Sequence, residues 1–381
     1  MKVVLTCNGS RRYYGGNKYF FFLAKYLIKE GIDVEVIVDS DEGRGKLTEV
    51  CSTVRGTVIG PATGGKMNTV TSALYSFRLA RYLRDISFDI LHTATTMSFF
   101  YLASSNRAPT VFQVFGNEGF TDVDTLQARG LTKMYYQFLV QPAWRYCAAR
   151  AAAIAAEGEF QIEEIAKTCR VSRDKIFVLP VGVYSSFIKE RLKARKMTRE
   201  QLGLTDKDFV LLSVSNLYPV KGVGYLIDAF RLVRQKLAEA RLIIIGTGPE
   251  EQNMYNQIGA YQLMDSVIHL KNVPEVTLYD YYALSDLYVS PILQRDFIMG
   301  ILEAEVCGLP IVSTGQEWLV KEGENGYVVP PRNPPAMAEA ILKIYSGDRE
   351  AMGITSQEIA TDYDFEVTVK ETVKLYQRLL G

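Results

Sequence analysis

The chain has 381 residues, of which 48% are hydrophobic and 23% charged, and its 43 basic and 43 acidic side chains cancel. Single hydrophobic cores stop growing at roughly 250–300 residues, so this length predicts two domains. The zero net charge argues against a nucleic-acid-binding protein, which needs a net basic face for phosphates.

Five widely spaced cysteines without a C-x-x-C pair favour buried thiols in a reducing compartment over disulfides or a zinc site. The only two histidines, His92 and His269, argue against a histidine-based metal centre. The opening stretch MKVVLTCNGS reads as a strand rather than a signal peptide, and no run of ~18 apolar residues follows it. We therefore expect a cytoplasmic protein with no membrane-spanning helix.

In the first half of the chain, short apolar runs alternate with segments of helical periodicity. This alternation is typical of βαβ units with a parallel sheet. The runs that predict buried strands are residues 3–7, 34–38, 90–92, 110–115 and 176–180.

Gly15 and Gly16 stand between the first predicted strand and the first predicted helix. Two glycines let a backbone approach a ligand closely, and the helix N-terminus behind them offers N–H groups and a positive dipole. The spacing is not G-x-G-x-x-G, so the dinucleotide fingerprint is absent. A plain tight turn is the alternative.

Three further features of the first half allow two interpretations each. The D-S-D at 39–41 has the form of a metal-binding D-x-D motif, but after a predicted strand it reads as a polar loop. His92 ends a strand, where it could face an acceptor or simply be structural. Residues 69–85, TVTSALYSFRLARYLRD, interleave aromatic and basic side chains, which suits an anionic membrane surface or an ordinary core helix with solvated arginines.

Residues 181–206 are polar and basic and predict a linker helix with solvated charges, after which the strand pattern restarts. The predicted domains are 1–185, completed by a final helix at 364–381, and 186–363. Ligands of open α/β sheets bind outside the carboxyl ends of the strands, so the cleft between two such domains is the expected site. The strands predicted in the second half are 209–215, 241–246, 267–270, 287–291, 310–314 and 327–330.

The strand ends of the second half carry residues suited to a nucleotide. Lys221 and Gly222 open the first helix, where a cation beside a helix N-terminus suits a diphosphate. Gly246 and Gly248 mark a tight turn at the next crossover, near a planar ligand. Glu303 lies near the start of a short helix, where its carboxylate could accept from ligand hydroxyls.

Together these motifs resemble the retaining glycosyltransferases of family 4. The resemblance runs through nearly the whole chain and implies the GT-B fold: two Rossmann-like α/β domains facing a central cleft, with the C-terminal helix crossing back to the first domain. The stretches that carry it are GGNKYFFFLAKYLIKEGIDVEVIV, VSNLYPVKG, GTGP, LSDLYVSP, LEAEVCGLPIVST, KEGENGYVVPP and FEVTVKETVKLYQRLL.

The resemblance also implies roles for individual residues. The donor would be a nucleoside-diphosphate sugar, the acceptor a glycan or a lipid-linked hydroxyl with a peripheral membrane contact, and no metal or other cofactor would be needed. Gly15 and Gly16 would face the donor phosphate and the acceptor, and Lys221 would bind the diphosphate. Gly246 and Gly248 would lie near the nucleotide, and Glu303, the second Glu of the Glu-x7-Glu motif, would bind the ribose hydroxyls.

Four positions depart from the family pattern. The first Glu of the motif falls on Arg295, the Arg before the Lys falls on Asn216, the active-site His falls on Phe115, and the loop at TGQEW is shortened. Arg295 could pair with phosphate in place of the cation missing at Asn216, because its planar fork suits that contact.

Neighbouring side chains could compensate for the other losses. Asp296 could hold sugar hydroxyls, and Asn117 and Glu118 could face the acceptor. The sequence therefore predicts a retaining sugar transferase. The alternatives are a catalytically weakened chain that binds a nucleotide or glycan and acts through a partner, a sugar-nucleotide epimerase of the same fold, and a phosphate-binding α/β protein without sugar chemistry.

Overall fold

A computed structural model describes residues 1–6, 15–60, 69–94, 98–104, 107–115, 134, 138, 141–294 and 299–381. The chain divides into two compact units. Unit 1 comprises Met1–Val181 and Glu366–Gly381, and unit 2 comprises Gly182–Phe365. The division falls at Val181 rather than at residue 185, and the last helix belongs to unit 1.

In the described part of unit 1, seven parallel strands form one sheet in the order β3-β2-β1-β4-β5-β6-β7. Its strands are β1 (Lys2–Thr6), β2 (Asp33–Val38), β3 (Arg55–Val58), β4 (Ile90–Thr93), β5 (Thr110–Gln113), β6 (Ala153–Ala156) and β7 (Ile176–Val178). Its helices before the linker are α1 (Gly15–Lys29), α2 (Asp41–Val50), α3 (Thr69–Asp85), α4 (Phe99–Leu102), α5 (Gln141–Arg150) and α6 (Ile162–Cys169).

The sheet of unit 1 is buried on both faces, as a parallel sheet covered by crossover helices must be. One face carries Val4, Leu91 and Phe112, which pack under α3, α4 and α5. The other face carries His92, whose ring contacts Phe20 of α1. The successive residues Leu91 and His92 of β4 therefore point to opposite faces of the sheet and pack in two separate parts of the core.

In the described part of unit 2, six parallel strands form a second sheet in the order β10-β9-β8-β11-β12-β13. Its strands are β8 (Phe209–Val214), β9 (Ala240–Ile245), β10 (Val267–Leu270), β11 (Leu287–Ser290), β12 (Ile311–Ser313) and β13 (Gly326–Val328). Its helices are α7 (Ser185–Lys193), α8 (Val223–Lys236), α9 (Glu251–Ala260), α10 (Glu275–Leu284), α11 (Met299–Val306), α12 (Pro334–Ser346) and α13 (Arg349–Asp362).

Helix α7 confirms the helix and the exposed charges predicted within residues 181–206, but it packs as part of unit 2 rather than as a linker. Ile188 is fully buried, and the ring of Phe187 packs edge-on against Tyr279 of α10. Arg191 lies over the Phe187 ring. The basic residues of this segment are thus the outer side of an amphipathic helix that belongs to unit 2.

The last helix, α14 (Phe365–Leu380), packs against unit 1. The Thr368 hydroxyl donates to the Pro180 carbonyl oxygen at 2.7 Å, and the Arg378 guanidinium lies over the Phe177 ring. Tyr376 of the same helix is fully buried and contacts His92. These contacts join the final helix to the rest of unit 1.

Candidate functional site

Three loops meet at the carboxyl edge of the sheet in unit 2, and backbone hydrogen bonds join them. The Leu217 N–H, in the loop after β8, donates to the Thr247 carbonyl oxygen in the loop after β9, at 2.9 Å. The Leu293 N–H, in the loop after β11, donates to the Val220 carbonyl oxygen in the loop after β8, at 2.8 Å. Asn216, which lies in the first of these loops, is therefore part of one connected edge.

The glycines of these loops are needed because neighbouring backbone comes very close. A Cβ on Gly246 would lie 1.9 Å from the Ser215 carbonyl oxygen, and one on Gly248 would lie 2.3 Å from that of Leu217. Gly246 also has a φ of +147°, which side-chain-bearing residues rarely adopt. The β8 loop therefore comes too close to leave room for a side chain at either position, and the predicted place of these glycines near a nucleotide stays a prediction.

Lys221 ends a short 3-10 turn (Pro219–Lys221) directly before α8. The N-cap of α8, Gly222, has no side chain with which to cap the first turn, and its φ is +73°. A Cβ on Gly222 would lie 2.0 Å from the Pro291 carbonyl oxygen, so the β11 loop fixes this turn. The arrangement combines a half-buried lysine with a helix N-terminus, the usual surroundings of a phosphate group.

Glu303 lies on α11 and is nearly buried, with 6% of its surface exposed. Its carboxylate accepts from the hydroxyls of Tyr279 at 3.3 Å and Tyr282 at 3.0 Å. Burial first and the Glu303 charge second raise the pKa of Tyr282 well above its usual value, so this hydroxyl stays a donor. The two tyrosine hydroxyls therefore fix the position of the Glu303 carboxylate.

A third tyrosine links this group to the end of β8. The ring of Tyr288 stacks on Tyr282 with centroids 5.8 Å apart, and its hydroxyl donates to the Val214 carbonyl at 3.1 Å. A Cβ on Gly300 would lie 2.1 Å from that hydroxyl, so only glycine fits there. No motif pointed to these residues in advance, although two of them have the i, i+3 spacing of one helix face: Tyr279, Tyr282, Tyr288 and Gly300.

Glu305, two residues beyond Glu303, is fully buried, and one of its oxygens has no hydrogen-bond partner in the described structure. Its other oxygen accepts from Asn325 Nδ2 at 3.3 Å. Burial raises the pKa of this carboxyl well above its usual range, and the Asn325 hydrogen bond offsets only part of the shift. The protonated form of Glu305 is therefore favoured in the folded chain.

We expect Glu305→Gln to remove a pH dependence of stability in unit 2. The wild-type carboxyl stays protonated when folded but ionises in the unfolded chain above its ordinary pKa of 4.5. The free energy of unfolding should therefore fall as pH rises above that value, by up to ~1.4 kcal/mol per pH unit, and the glutamine variant should lack this loss. Denaturation at several pH values between 4 and 7, followed by Trp318 fluorescence in a Trp144→Phe background, measures this free energy. If it changed with pH in the same way in the wild type and in Glu305→Gln, the prediction would be wrong.

The predicted acceptor contact of His92 is wrong in this structure. The ring is fully buried, with Nδ1 2.7 Å from the Tyr376 hydroxyl and Nε2 3.3 Å from Gln113 Oε1. Because Gln113 Oε1 only accepts, Nε2 carries the proton and Nδ1 accepts from Tyr376. Burial lowers the pKa of His92 to about 3, so the ring is neutral and both nitrogens are occupied.

Other unit 1 residues lie at the carboxyl edge of its sheet. Gly15 and Gly16 are the first two residues of α1 rather than a preceding loop. Phe115 follows β5, and its ring packs edge-on against Tyr19, 5.2 Å between centroids. Glu157 follows β6, and its carboxylate accepts from Gln161 Nε2 at 2.9 Å. Glu157 could not be recognised from the sequence, because AAAIAAEGEF gives no strand signal.

Four predicted site residues lie outside the described residues: Asn117, Glu118, Arg295 and Asp296. The D-S-D stretch begins α2, where Ser40 caps Gly43 N–H at 3.2 Å and Asp41 pairs with Arg44. Within the described ranges, no group of three potential metal-binding side chains occurs, and no helix is long and apolar enough to cross a membrane.

Solved structures with the same fold cover almost the whole chain. HepE of Anabaena, solved with UDP and glucose, superposes with a TM-score of 0.77 at 19% identity, over 99% of both chains. A glycosyltransferase of Rickettsia africae superposes with a TM-score of 0.76 at 16% identity, over 100% of this chain and 98% of that one. At such identities the likeness establishes the fold alone, and that fold is GT-B.

Relatives by sequence match over shorter stretches. An uncharacterized glycosyltransferase of Haemophilus influenzae is 29% identical over 167 residues, 42% of this chain and 47% of that protein. A GDP-mannose-dependent alpha-(1-6)-phosphatidylinositol monomannoside mannosyltransferase of Mycolicibacterium smegmatis is 28% identical over 196 residues, 48% of this chain and 51% of that protein. The chain thus spans about half the length of these relatives.

Two family models match consecutive parts of the chain. The model described as Glycosyltransferase Family 4 matches residues 13–187, and the model described as Glycosyl transferases group 1 matches residues 194–358. The order of these matches agrees with the two units and with the motifs read from the sequence. The chain belongs to the family 4, group 1 glycosyltransferases.

Proposed function

We propose that this glycosyltransferase moves a sugar from a nucleoside-diphosphate donor to an acceptor hydroxyl with retention at the anomeric carbon. The observation that carries the proposal is Lys221 beside the uncapped N-terminus of α8, at the carboxyl edge of the sheet. A positive side chain and aligned N–H groups stabilise the charge that develops on a departing diphosphate. No covalent nucleophile is required of the chain.

The other donor contacts follow from the same edge. Glu303 would accept from the ribose hydroxyls, held for this by Tyr279 and Tyr282. Positioning of the donor against the acceptor supplies the rest of the rate enhancement. Arg295 and Asp296 stay candidates for the phosphate and the sugar, and Asn117 and Glu118 for the acceptor.

The relatives support a nucleotide-sugar donor. HepE was solved with UDP-glucose, and the mycolicibacterial relative uses GDP-mannose. We propose a glycan or lipid-linked hydroxyl as acceptor, reached through a peripheral membrane contact, and a reaction without a metal. The buried free thiols of Cys51, Cys147 and Cys169 suit a cytoplasmic location.

Transfer and its stereochemistry can be measured together. The full chain is incubated with UDP-, GDP- and ADP-sugars and with glycan or lipid acceptors, with and without EDTA. Proton NMR of the early product gives its anomeric configuration, which we expect to be that of the donor. We expect the same amount of product with and without EDTA. An inverted product would contradict retention, and inhibition by EDTA would contradict the metal-free reaction.

Two glutamates on the same helix give a matched comparison. We expect Glu303→Gln to weaken nucleoside-diphosphate binding by about 10-fold, because a hydrogen bond to a charged group contributes roughly 1.5 kcal/mol or more. Glu305→Gln should leave the affinity unchanged, since Glu305 is fully buried and neutral. Isothermal titration with UDP, GDP and ADP measures the affinities of both variants. Equal affinities for Glu303→Gln and the wild type would show that Glu303 does not bind the ribose.

A catalytically weakened chain is the second candidate, favoured by the non-family residues Asn216 and Arg295. Such a chain would bind a nucleotide and act through a partner. Tight nucleotide binding without diphosphate release, with every acceptor class present, would select this candidate over the transferase.

A further inference from the structure

His269 and Tyr255 of unit 2 form a hydrogen-bonded pair beside the turn that follows β9. The Tyr255 hydroxyl, on α9, lies 2.8 Å from His269 Nδ1, and the two rings meet edge-on with centroids 5.4 Å apart. His269 Nε2 lies 2.8 Å from the Gly246 carbonyl oxygen. Because a carbonyl oxygen only accepts, Nε2 carries the proton and Nδ1 accepts from Tyr255. The pair therefore fixes the carbonyl of the first residue of this turn.

The turn is held from both neighbouring strands. In the sheet, β9 lies between β10, which carries His269, and β8. From the β10 side, the Leu270 carbonyl oxygen accepts from the Gly246 N–H at 2.9 Å. From the β8 side, the Leu217 N–H donates to the Thr247 carbonyl oxygen at 2.9 Å. The main chain of Gly246 and Thr247 thus has one orientation before any ligand binds.

One main-chain donor of this turn is left over. The carbonyl and the following N–H of a trans peptide point in opposite directions, so the Thr247 N–H points away from the His269 ring. The next N–H, of Gly248, donates to Glu251 Oε1 at 3.1 Å, and the other oxygen of Glu251 pairs with Lys271 at 2.8 Å. Among the residues that the structure describes, none accepts from the Thr247 N–H. Thr247 is half-buried at the carboxyl edge of the sheet, where ligands of such sheets bind.

We propose that His269 is a positioning residue of the donor site, which holds the Gly246 carbonyl and thereby directs the Thr247 N–H toward the nucleoside diphosphate. A main-chain N–H is a good donor to a phosphate oxygen, and one that is already oriented loses little freedom when the ligand binds. Both ring nitrogens of His269 are occupied, so we assign it no proton transfer. The inference rests on the nucleotide-sugar donor proposed above and adds a contact from the loop after β9.

Four variants of the full chain test this role. His269→Phe keeps a ring beside Tyr255 but cannot donate to Gly246, whereas His269→Gln offers an amide N–H in place of Nε2. Tyr255→Phe removes the hydroxyl that orients the histidine ring. The matched control is Tyr345→Phe, which removes the hydroxyl that donates to Glu239 at 2.8 Å, before the amino end of β9. Both tyrosines are 37% exposed.

Isothermal titration with UDP, GDP and ADP gives the Kd, and rates of diphosphate release give the donor KM and kcat. We expect His269→Phe to raise Kd and KM about 5- to 10-fold and to change kcat by less than about 2-fold, because a contact made equally in the ground state and the transition state affects binding alone. His269→Gln should recover part of the affinity, Tyr255→Phe should lose less than His269→Phe, and Tyr345→Phe should equal the wild type. Without ligand, the amides of residues 246–248 should exchange hydrogen faster in His269→Phe than in the wild type.

A purely structural role of His269 would lower the free energy of unfolding and leave the Kd of the folded protein unchanged, and that result would overturn the inference. Equal losses of affinity in His269→Phe and His269→Gln, or unchanged hydrogen exchange at the turn, would also overturn it. Nucleotide binding that His269→Phe weakens would support it even if no sugar is transferred. If the wild type transfers sugar but both proteins bind the nucleotide equally, only this inference fails, whereas a wild type that binds no nucleotide contradicts the proposed function as well.

Discussion

Replacing Lys221 with alanine is expected to lower kcat/KM for the nucleotide sugar by roughly 10- to 150-fold. A hydrogen bond to a charged group contributes about 1.5–3 kcal/mol, and each 1.4 kcal/mol is a factor of ten. Most of the loss should appear in kcat, because charge on the diphosphate increases as the bond to the sugar breaks. Initial rates of diphosphate release over a range of donor concentrations measure both constants.

Two control variants make the Lys221 result specific. Lys236→Ala removes an exposed lysine from the opposite end of the same helix, α8, and should leave kcat/KM unchanged. Lys221→Arg keeps the charge but changes its shape, so we expect it to recover part of the activity. Equal rates for Lys221→Ala and the wild type, with both proteins folded, would remove Lys221 from the diphosphate site.

The buried His92 should make unit 1 less stable in mild acid. Its folded pKa of about 3 lies below its ordinary value of 6.5, so the unfolded chain binds the extra proton first. The stability that the neutral ring contributes is complete above pH 6.5 and is lost as pH falls toward 3. At pH 5 the loss should be about 2 kcal/mol relative to pH 7.5.

The His92 effect can be isolated because the two tryptophans lie in different units. Trp144 is in α5 of unit 1 and Trp318 is in unit 2. Urea denaturation of Trp318→Phe reports unit 1, with and without His92→Gln, at pH 7.5, 6 and 5. We expect the difference in unfolding free energy between the two proteins to change by about 2 kcal/mol over this range. A constant difference would show that His92 does not titrate as a buried group.

Much of the fold was predictable because most strands are runs of Val, Ile and Leu, such as β8 and β9. Two strands of unit 1 were missed. β3 reads RGTV, which is short and polar, and β6 reads AIAA, whose alanines favour helix by propensity. Their pairing with β2 and β5 is a tertiary effect, and the local sequence does not encode it.

Positions in the candidate site could be predicted only for residues that lie close to the end of a strand or the start of a helix. Lys221 directly precedes α8, as its motif predicted, whereas Glu303 lies in the middle of α11 rather than near its start, and the roles of both stay predictions. The error at His92 arose because a strand end has two faces, and this ring points to the face covered by α1 and α14. The tyrosines around Glu303 were missed because their meeting depends on how α10 and β11 lie beside α11.

The decisive measurement is diphosphate release from a panel of UDP-, GDP- and ADP-sugars, with binding of each nucleotide followed in parallel. We expect release from one nucleotide class, stimulated by an acceptor and reduced in Lys221→Ala but not in Lys236→Ala. Binding of none of the nucleotides by the folded chain would contradict a donor site at the carboxyl edge of the unit 2 sheet. Release that is equal in the two lysine variants would contradict the role given to Lys221.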